Sequence, residues 1–156
     1  MNEIISKLLS TRSRNRATLP IRLAAGLVFM GHGAQKLFGW FGGNGLQATA
    51  GFFADKLHLT PGIFWATLAG CGEFFGGLAL FVGIATRFFG FVTAVTMAVA
   101  IITVHSGAFF MQAGGMEYAL TLLLVSISLI ISGGGAFSVD ALIAGKSCRG
   151  AGAEAK

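Results

Sequence analysis

Apolar positions in this chain do not alternate with polar ones. They gather into four stretches separated by short polar or glycine-rich breaks. The first runs from about Pro20 to Trp40. The second, from about Pro61 to Gly83, opens with a proline where a helix tolerates one. The third covers about Phe88 to Ser106, and the fourth about Met116 to Ala136, stopping at Gly133-Gly134-Gly135. Each is close to the roughly 20 residues that a bilayer core requires. They are too long and too evenly apolar for barrel strands of about 9–11 residues. With lipid leaving only helix or closed barrel to the backbone, the pattern predicts helices. The expected fold is an all-α integral membrane protein, a bundle of four transmembrane helices over 20–139. A basic segment (1–19), amphipathic or flexible, precedes it, and a tail (140–156) follows. The glycine-rich loop at 41–60 carries Phe52 and Phe53 and is expected to form a short helix lying on the membrane.

Composition agrees with this reading. Of 156 residues, 54% are hydrophobic and 11% charged, and the mean hydropathy is +0.78. About a quarter of the residues of a soluble domain are charged. Such a chain is neither a disordered tail nor an ordinary cytosolic enzyme, and nucleic acid is not its expected partner. A cleaved signal peptide is not expected, because the first apolar run follows an Arg-rich stretch and ends in a polar, aromatic sequence without a convincing cleavage site. Cys71 and Cys148 form no CxxC pair, which leaves no thioredoxin-like dithiol within the chain.

The net charge of +5 comes from basic residues that sort by side. Five Lys and Arg precede or open the first run (Lys7, Arg12, Arg14, Arg16, Arg22). Arg87 sits between runs two and three, and Lys146, Arg149 and Lys156 follow the last. The opposite side has Lys36 and Lys56. Nine against two predicts both termini in the cytoplasm. Trp40 and Trp65 then fall near the outer interface, where indole rings anchor well. Glycines within the runs, such as Gly26, Gly33, Gly70 and Gly77, are expected to let helices approach closely.

The informative residues are the polar ones inside the runs. A charge at mid-helix costs about 2.5–3.5 kcal/mol on insertion scales, so such groups are expected to face the bundle interior and find partners. The candidates are Arg22, His32, Gln35 and Lys36 on the first run, Glu73 on the second, His105 at the end of the third and Glu117 on the fourth. At about 1.5 Å per residue, His32 and Glu73 share a layer near mid-depth. Gln35, Lys36, His105 and Glu117 form a second layer near the outer rim. Three of these have a plain alternative, since Lys36, His105 and Glu117 lie near interfaces and can snorkel to water. Glu73 is expected to pair with His32 or Arg22. His32, Gln35 and Lys36 lie three and four residues apart and point one way, while Arg22, Gly26, Gly33 and Lys36 follow a neighbouring stripe. No phosphate loop, HExxH, dinucleotide fingerprint or GxSxG is present. His32 and His105 differ by about 10 Å in depth, which disfavours a shared haem, and no metal site is expected.

The run from Gly31 to Gly43 (Gly-His-Gly-Ala-Gln-Lys-Leu-Phe-Gly-Trp-Phe-Gly-Gly), following Arg22 and Gly26, resembles the DoxX family. So do Glu73-Phe-Phe-Gly-Gly, Val82-Gly-Ile-Ala-Thr-Arg87, His105-Ser-Gly and Gly115-Met-Glu117-Tyr-Ala-Leu. The resemblance covers roughly 19–139. It implies a small bacterial inner-membrane protein of four helices. It also implies a link to quinones, through relatives tied to a terminal quinol oxidase complex and to thiosulfate:quinone oxidoreduction, and to oxidative stress. The matching positions are Arg22, His32, Lys36, Glu73, Arg87, His105 and Glu117, without established catalytic roles.

Three functions fit. One is a quinone-linked redox component, in which a histidine and a carboxylate bind the ring oxygens and relay protons. With no cofactor site of its own, the chain would draw electrons from a soluble redox partner. The second is a non-enzymatic anchor for soluble proteins, docked on the basic ends. The third is a small proton-coupled transporter, which four helices support best as a homo-oligomer.

Overall fold

The computed structural model describes residues 15–144. The chain forms five helices here: α1 (Thr18–Phe38), α2 (Gly45–Asp55), α3 (Gly62–Val82), α4 (Thr86–Thr103) and α5 (Glu117–Ser132). Short 3-10 turns lie at Trp40–Gly42 and Met111–Ala113, and a further helical stretch occupies 139–144. No strand occurs among the described residues. The expected basic segment and tail fall mostly at 1–14 and 145–156, outside the described residues, as does Cys148.

The long helices α1, α3, α4 and α5 coincide with the four apolar stretches, and α2 falls in the 41–60 loop. The chain leaves α5 at Gly133, whose φ of 71° ends the helix at the first of the three glycines where the fourth stretch is expected to stop. α1 packs along α3, α3 on α4, and α4 along α5, with lighter contact from α5 back to α1 closing the ring. α2 lies across the start of α3 and the end of α1.

The α1–α3 crossing is made by glycine. A Cβ on Gly26 would sit 2.8 Å from the Gly77 carbonyl oxygen, and one on Gly77 would sit 2.6 Å from the Met30 nitrogen. Gly33 lies against the backbone of Phe74. Position 26 meets 77 and position 33 meets 74, so the two helices run antiparallel. Backbone-to-backbone approach of this kind is how helices associate where no hydrophobic force drives them together. The α4–α5 seam is polar at one level, where the buried Thr93 hydroxyl lies 3.0 Å from that of Ser126. The centre is filled by Phe29, Leu80, Met97, Leu122 and Leu129.

The outside of the bundle is apolar as well. Leu27, Leu68, Phe91, Ile102, Leu124 and Ile131 are each more than half exposed. Apolar surface on every side is what a helix bundle presents to lipid and what a soluble monomer avoids. α3 (21 residues) and α4 (18 residues) are long and apolar enough to cross a bilayer. α1 also has 21 residues, but it carries Arg22, His32 and Lys36. α5 is apolar with 16 residues.

A buried polar cluster closes the end that holds residues 15 and 144. Asp140, 1% exposed, accepts the Ala85 N–H at 2.7 Å and the Thr86 N–H at 2.9 Å, and so caps α4 from across the sequence. Ala85 is held there at φ 44°, in the left-handed region. Arg22, also 1% exposed, donates from Nη2 to the Phe137 carbonyl at 2.9 Å and feels the Asp140 charge. Its guanidinium fills the space over Gly83, where any side chain would collide with it. Gly83 also turns the chain at φ 75°, so it serves both the turn and the arginine. The Thr18 hydroxyl reaches the Gly134 carbonyl at 3.2 Å, and the Ala136 N–H reaches Asn15 at 2.7 Å. Asp140 is thus packed against residues of the helix bundle.

Candidate functional site

The opposite end holds the remaining polar residues of α1. The last turns of α1 place Gly33 and Lys36 toward α3, with Gln35 and His32 progressively round the helix, because successive residues rotate by about 100°. Beyond the helix, Gly39 (φ 73°) turns the chain back over these side chains. Phe41 follows at φ 54°, a left-handed conformation uncommon for a bulky residue. The Gln35 amide donates to the Phe41 carbonyl at 3.3 Å and ties that turn to α1.

Glu73 is 2% exposed and pairs with Lys36, Nζ to Oε2 at 2.5 Å. The sequence reading expected His32 or Arg22 as its partner, and geometry explains the difference. A helical side chain leans toward its own N-terminus, so the Lys36 stem runs inward from the rim. It passes Gly70, where a Cβ would sit 3.5 Å from that of Lys36, and reaches the carboxylate one turn deeper. His32 lies at the right depth but is rotated about 100° from Gly33, the residue that faces α3 at that level. Arg22 lies about 16 Å along α1 from the level of Gly33 and belongs to the Asp140 cluster.

His32 is exposed and sits at the edge of two cavities. Its ring meets the Tyr118 ring edge-on, with centroids 5.9 Å apart. The first cavity, about 220 Å³, lies between α1 and α5. It is lined by Leu27, Val28, Gly31 and Phe41, with His32, Gln35 and Tyr118 as its polar groups. The second, about 270 Å³, lies between α1 and the 42–49 segment, and is lined by His32, Gln35, Lys36, Asn44, Thr49 and the backbone of Gly42 and Gly43. Thus His32 and Gln35, one turn of α1, form the wall between an apolar groove and a polar one.

Four of the seven candidates come together here: His32, Gln35, Lys36 and Glu73. His105 and Glu117 lie elsewhere and tie the 104–116 connection together. The His105 Nδ1 lies 3.0 Å from the Gly114 carbonyl, and Glu117 Oε1 accepts the Met111 N–H at 2.9 Å. Arg87, at the end that holds residues 15 and 144, donates to the Ile130 carbonyl at 2.6 Å. Among the described residues no three of His, Cys, Asp and Glu are grouped to hold a metal ion. The sequence reading missed Tyr118, Phe41, Asn44 and Thr49. Tyr118 is the only tyrosine in the chain and follows Glu117 directly, a signal that was available.

The family model for DoxX matches residues 17–106, which spans α1 to α4. The chain belongs to the DoxX family. It is similar to a Bacillus subtilis protein named "Putative oxidoreductase CatD", with 35% identity over 126 residues, 81% of this chain and 86% of that one. No solved structure matches it. Membership makes it a membrane protein, and its all-helical build and lipid-like exterior agree with that.

Proposed function

We propose that this chain is a quinone-binding redox component of the bacterial inner (cytoplasmic) membrane, spanning it four times with both termini in the cytoplasm and the His32 site facing outward. The observation that carries the reading is the apolar groove. Leu27, Val28 and Phe41 offer a ring-sized apolar bed, and His32, Gln35 and Tyr118 converge on it with hydrogen-bonding groups. A quinone head group is a flat ring with two acceptor oxygens. A volume of about 220 Å³ suits the head group, leaving an isoprenoid tail in the surrounding lipid. Larger pockets of about 300–1,000 Å³ enclose whole ligands. The relative's name, an oxidoreductase, supports a redox setting.

The way the buried polar residues are housed supports the reading of four spans. Arg22 and Glu73 are buried, and Lys36 is turned onto Glu73, so α1 offers lipid a mostly apolar outer face. At 21 residues it is about 32 Å long. α5, about 24 Å long, crosses with local thinning of the bilayer. The excess of Lys and Arg toward the two ends of the sequence supports this orientation, and that basic side would serve as the surface for a soluble redox partner that exchanges electrons with the quinone. Glu73, covered by Lys36, supports the wall of the site without touching the ring.

The test is binding of a short-chain ubiquinone or menaquinone analogue to protein in nanodiscs. His32→Ala and Tyr118→Leu are expected to weaken binding at least tenfold each while the fold is kept. Unchanged affinity in both variants would remove the groove as the quinone site.

A further inference from the structure

The polar cavity on the far side of His32 is not needed to hold a quinone, and its lining has a definite chemical character. Its side chains are the Lys36 ammonium, the Asn44 and Gln35 amides, the Thr49 hydroxyl and the His32 imidazole, and no carboxylate lines it. Glu73 lies behind Lys36 and takes one of its ammonium hydrogens. Gln35 spends one amide hydrogen on Phe41, and the Thr49 hydroxyl donates to Gly45 at 2.7 Å. Further N–H groups on Lys36, Gln35 and Asn44 remain to point into the space. A cavity of about 270 Å³ has room for roughly nine waters at about 30 Å³ each, or for one small organic molecule. The Lys36–Glu73 pair presents its positive end to the cavity, and together with the amide donors it selects a ligand rich in acceptor oxygens.

We infer that this cavity is a second ligand site, taking a small hydrophilic molecule of the hydroxycarboxylate class, and that it is coupled to the apolar groove through the shared wall of His32 and Gln35. The site itself stands on the cavity's own lining, while the coupling rests on the quinone reading above. A ligand oxygen on Lys36 and Asn44 lies one helical turn from the His32 ring, whose other side borders the groove. A ligand on either side that fixes the orientation of His32 changes the affinity of the other by the same factor, because linkage is reciprocal.

The experiment uses the full-length protein in nanodiscs, with glycerate as the polar probe, glycerol as its uncharged counterpart and a short-chain quinone as the lipophilic ligand. Binding is followed by the side-chain amide resonance of Asn44 and the imidazole resonances of His32. Glycerate is expected to shift both saturably and glycerol to shift them weakly. Asn44→Leu and Thr49→Val are expected to weaken glycerate at least fivefold and leave quinone affinity unchanged. Tyr118→Leu is expected to do the reverse, and saturating glycerate to change quinone affinity at least twofold in the wild type and not in His32→Phe. Absence of a saturable glycerate shift, or a shift unaltered in both Asn44→Leu and Thr49→Val, overturns the site. Two ligands that bind without affecting each other overturn the coupling. Loss of quinone binding alone, with glycerate intact, overturns the quinone reading instead.

Discussion

Removing the Asp140 carboxylate is expected to cost more than any other single change at the end of the bundle that holds residues 15 and 144. In Asp140→Ala, the Ala85 and Thr86 N–H groups lose their acceptors. An N-cap of this kind contributes about 1 kcal/mol, and up to about 2 in favourable cases. Arg22, 1% exposed, also loses the attraction of a nearby opposite charge, with which it makes no direct ion pair. An attraction of that kind contributes about 1 kcal/mol. The sum is about 2–3 kcal/mol, against a total of about 5–15 for an ordinary domain. Asp140→Asn keeps an acceptor for one backbone N–H and loses the charge, so it is expected to fall between Asp140→Ala and wild type. Arg22→Met combined with Asp140→Asn removes the buried charge and is expected to recover about 1 kcal/mol of the loss. The assay is reversible unfolding in mixed micelles by titration with a denaturing detergent, read by circular dichroism. A cost below about 1 kcal/mol for Asp140→Ala would refute the argument, because neither the cap nor the charge attraction could then be at work.

Two further outcomes test other parts of the architecture in the same assay. Lys36→Met strands the buried Glu73 carboxylate and is expected to destabilise by about 3 kcal/mol or more, whereas Lys36→Met with Glu73→Leu is expected to lie within about 1–2 kcal/mol of wild type. Equal losses in the single and double variants would show that the pair is not coupled. Ala85→Gly is expected to stabilise by up to about 1 kcal/mol, since glycine adopts φ 44° without the Cβ penalty. A loss of stability there would mean that the turn does not hold Ala85 in the left-handed region.

The helices were readable because their signal is one-dimensional. A run of apolar residues near bilayer length is a property of consecutive positions, and so is the glycine spacing that lets α1 lie against α3. The end of α5 was readable too, since the backbone leaves the helix at Gly133, the first of three consecutive glycines. Asp140 was out of reach because its contacts are distant in the sequence. Its partners, Ala85, Thr86 and Arg22, are 55, 54 and 118 positions away in the sequence. Nothing local to Ser138-Val139-Asp140 distinguishes a buried cap from a tail residue.

At the site, depth was readable and direction was not. Counting along α1 and α3 brings His32 and Glu73 to one level, and Gly33 does meet Phe74 at that level. Depth alone cannot tell which way a side chain turns about its axis. One residue of rotation, about 100°, separates facing α3 from facing α5. That single step puts Gly33 against the partner helix and His32 beside Tyr118, and it leaves Glu73 to the longer reach of Lys36. The consequence is chemical. A histidine locked onto Glu73 would have been a structural pair in the interior. A histidine turned out of that contact, with the charge behind it already neutralised by Lys36, keeps its ring nitrogens for whatever occupies the two grooves on either side.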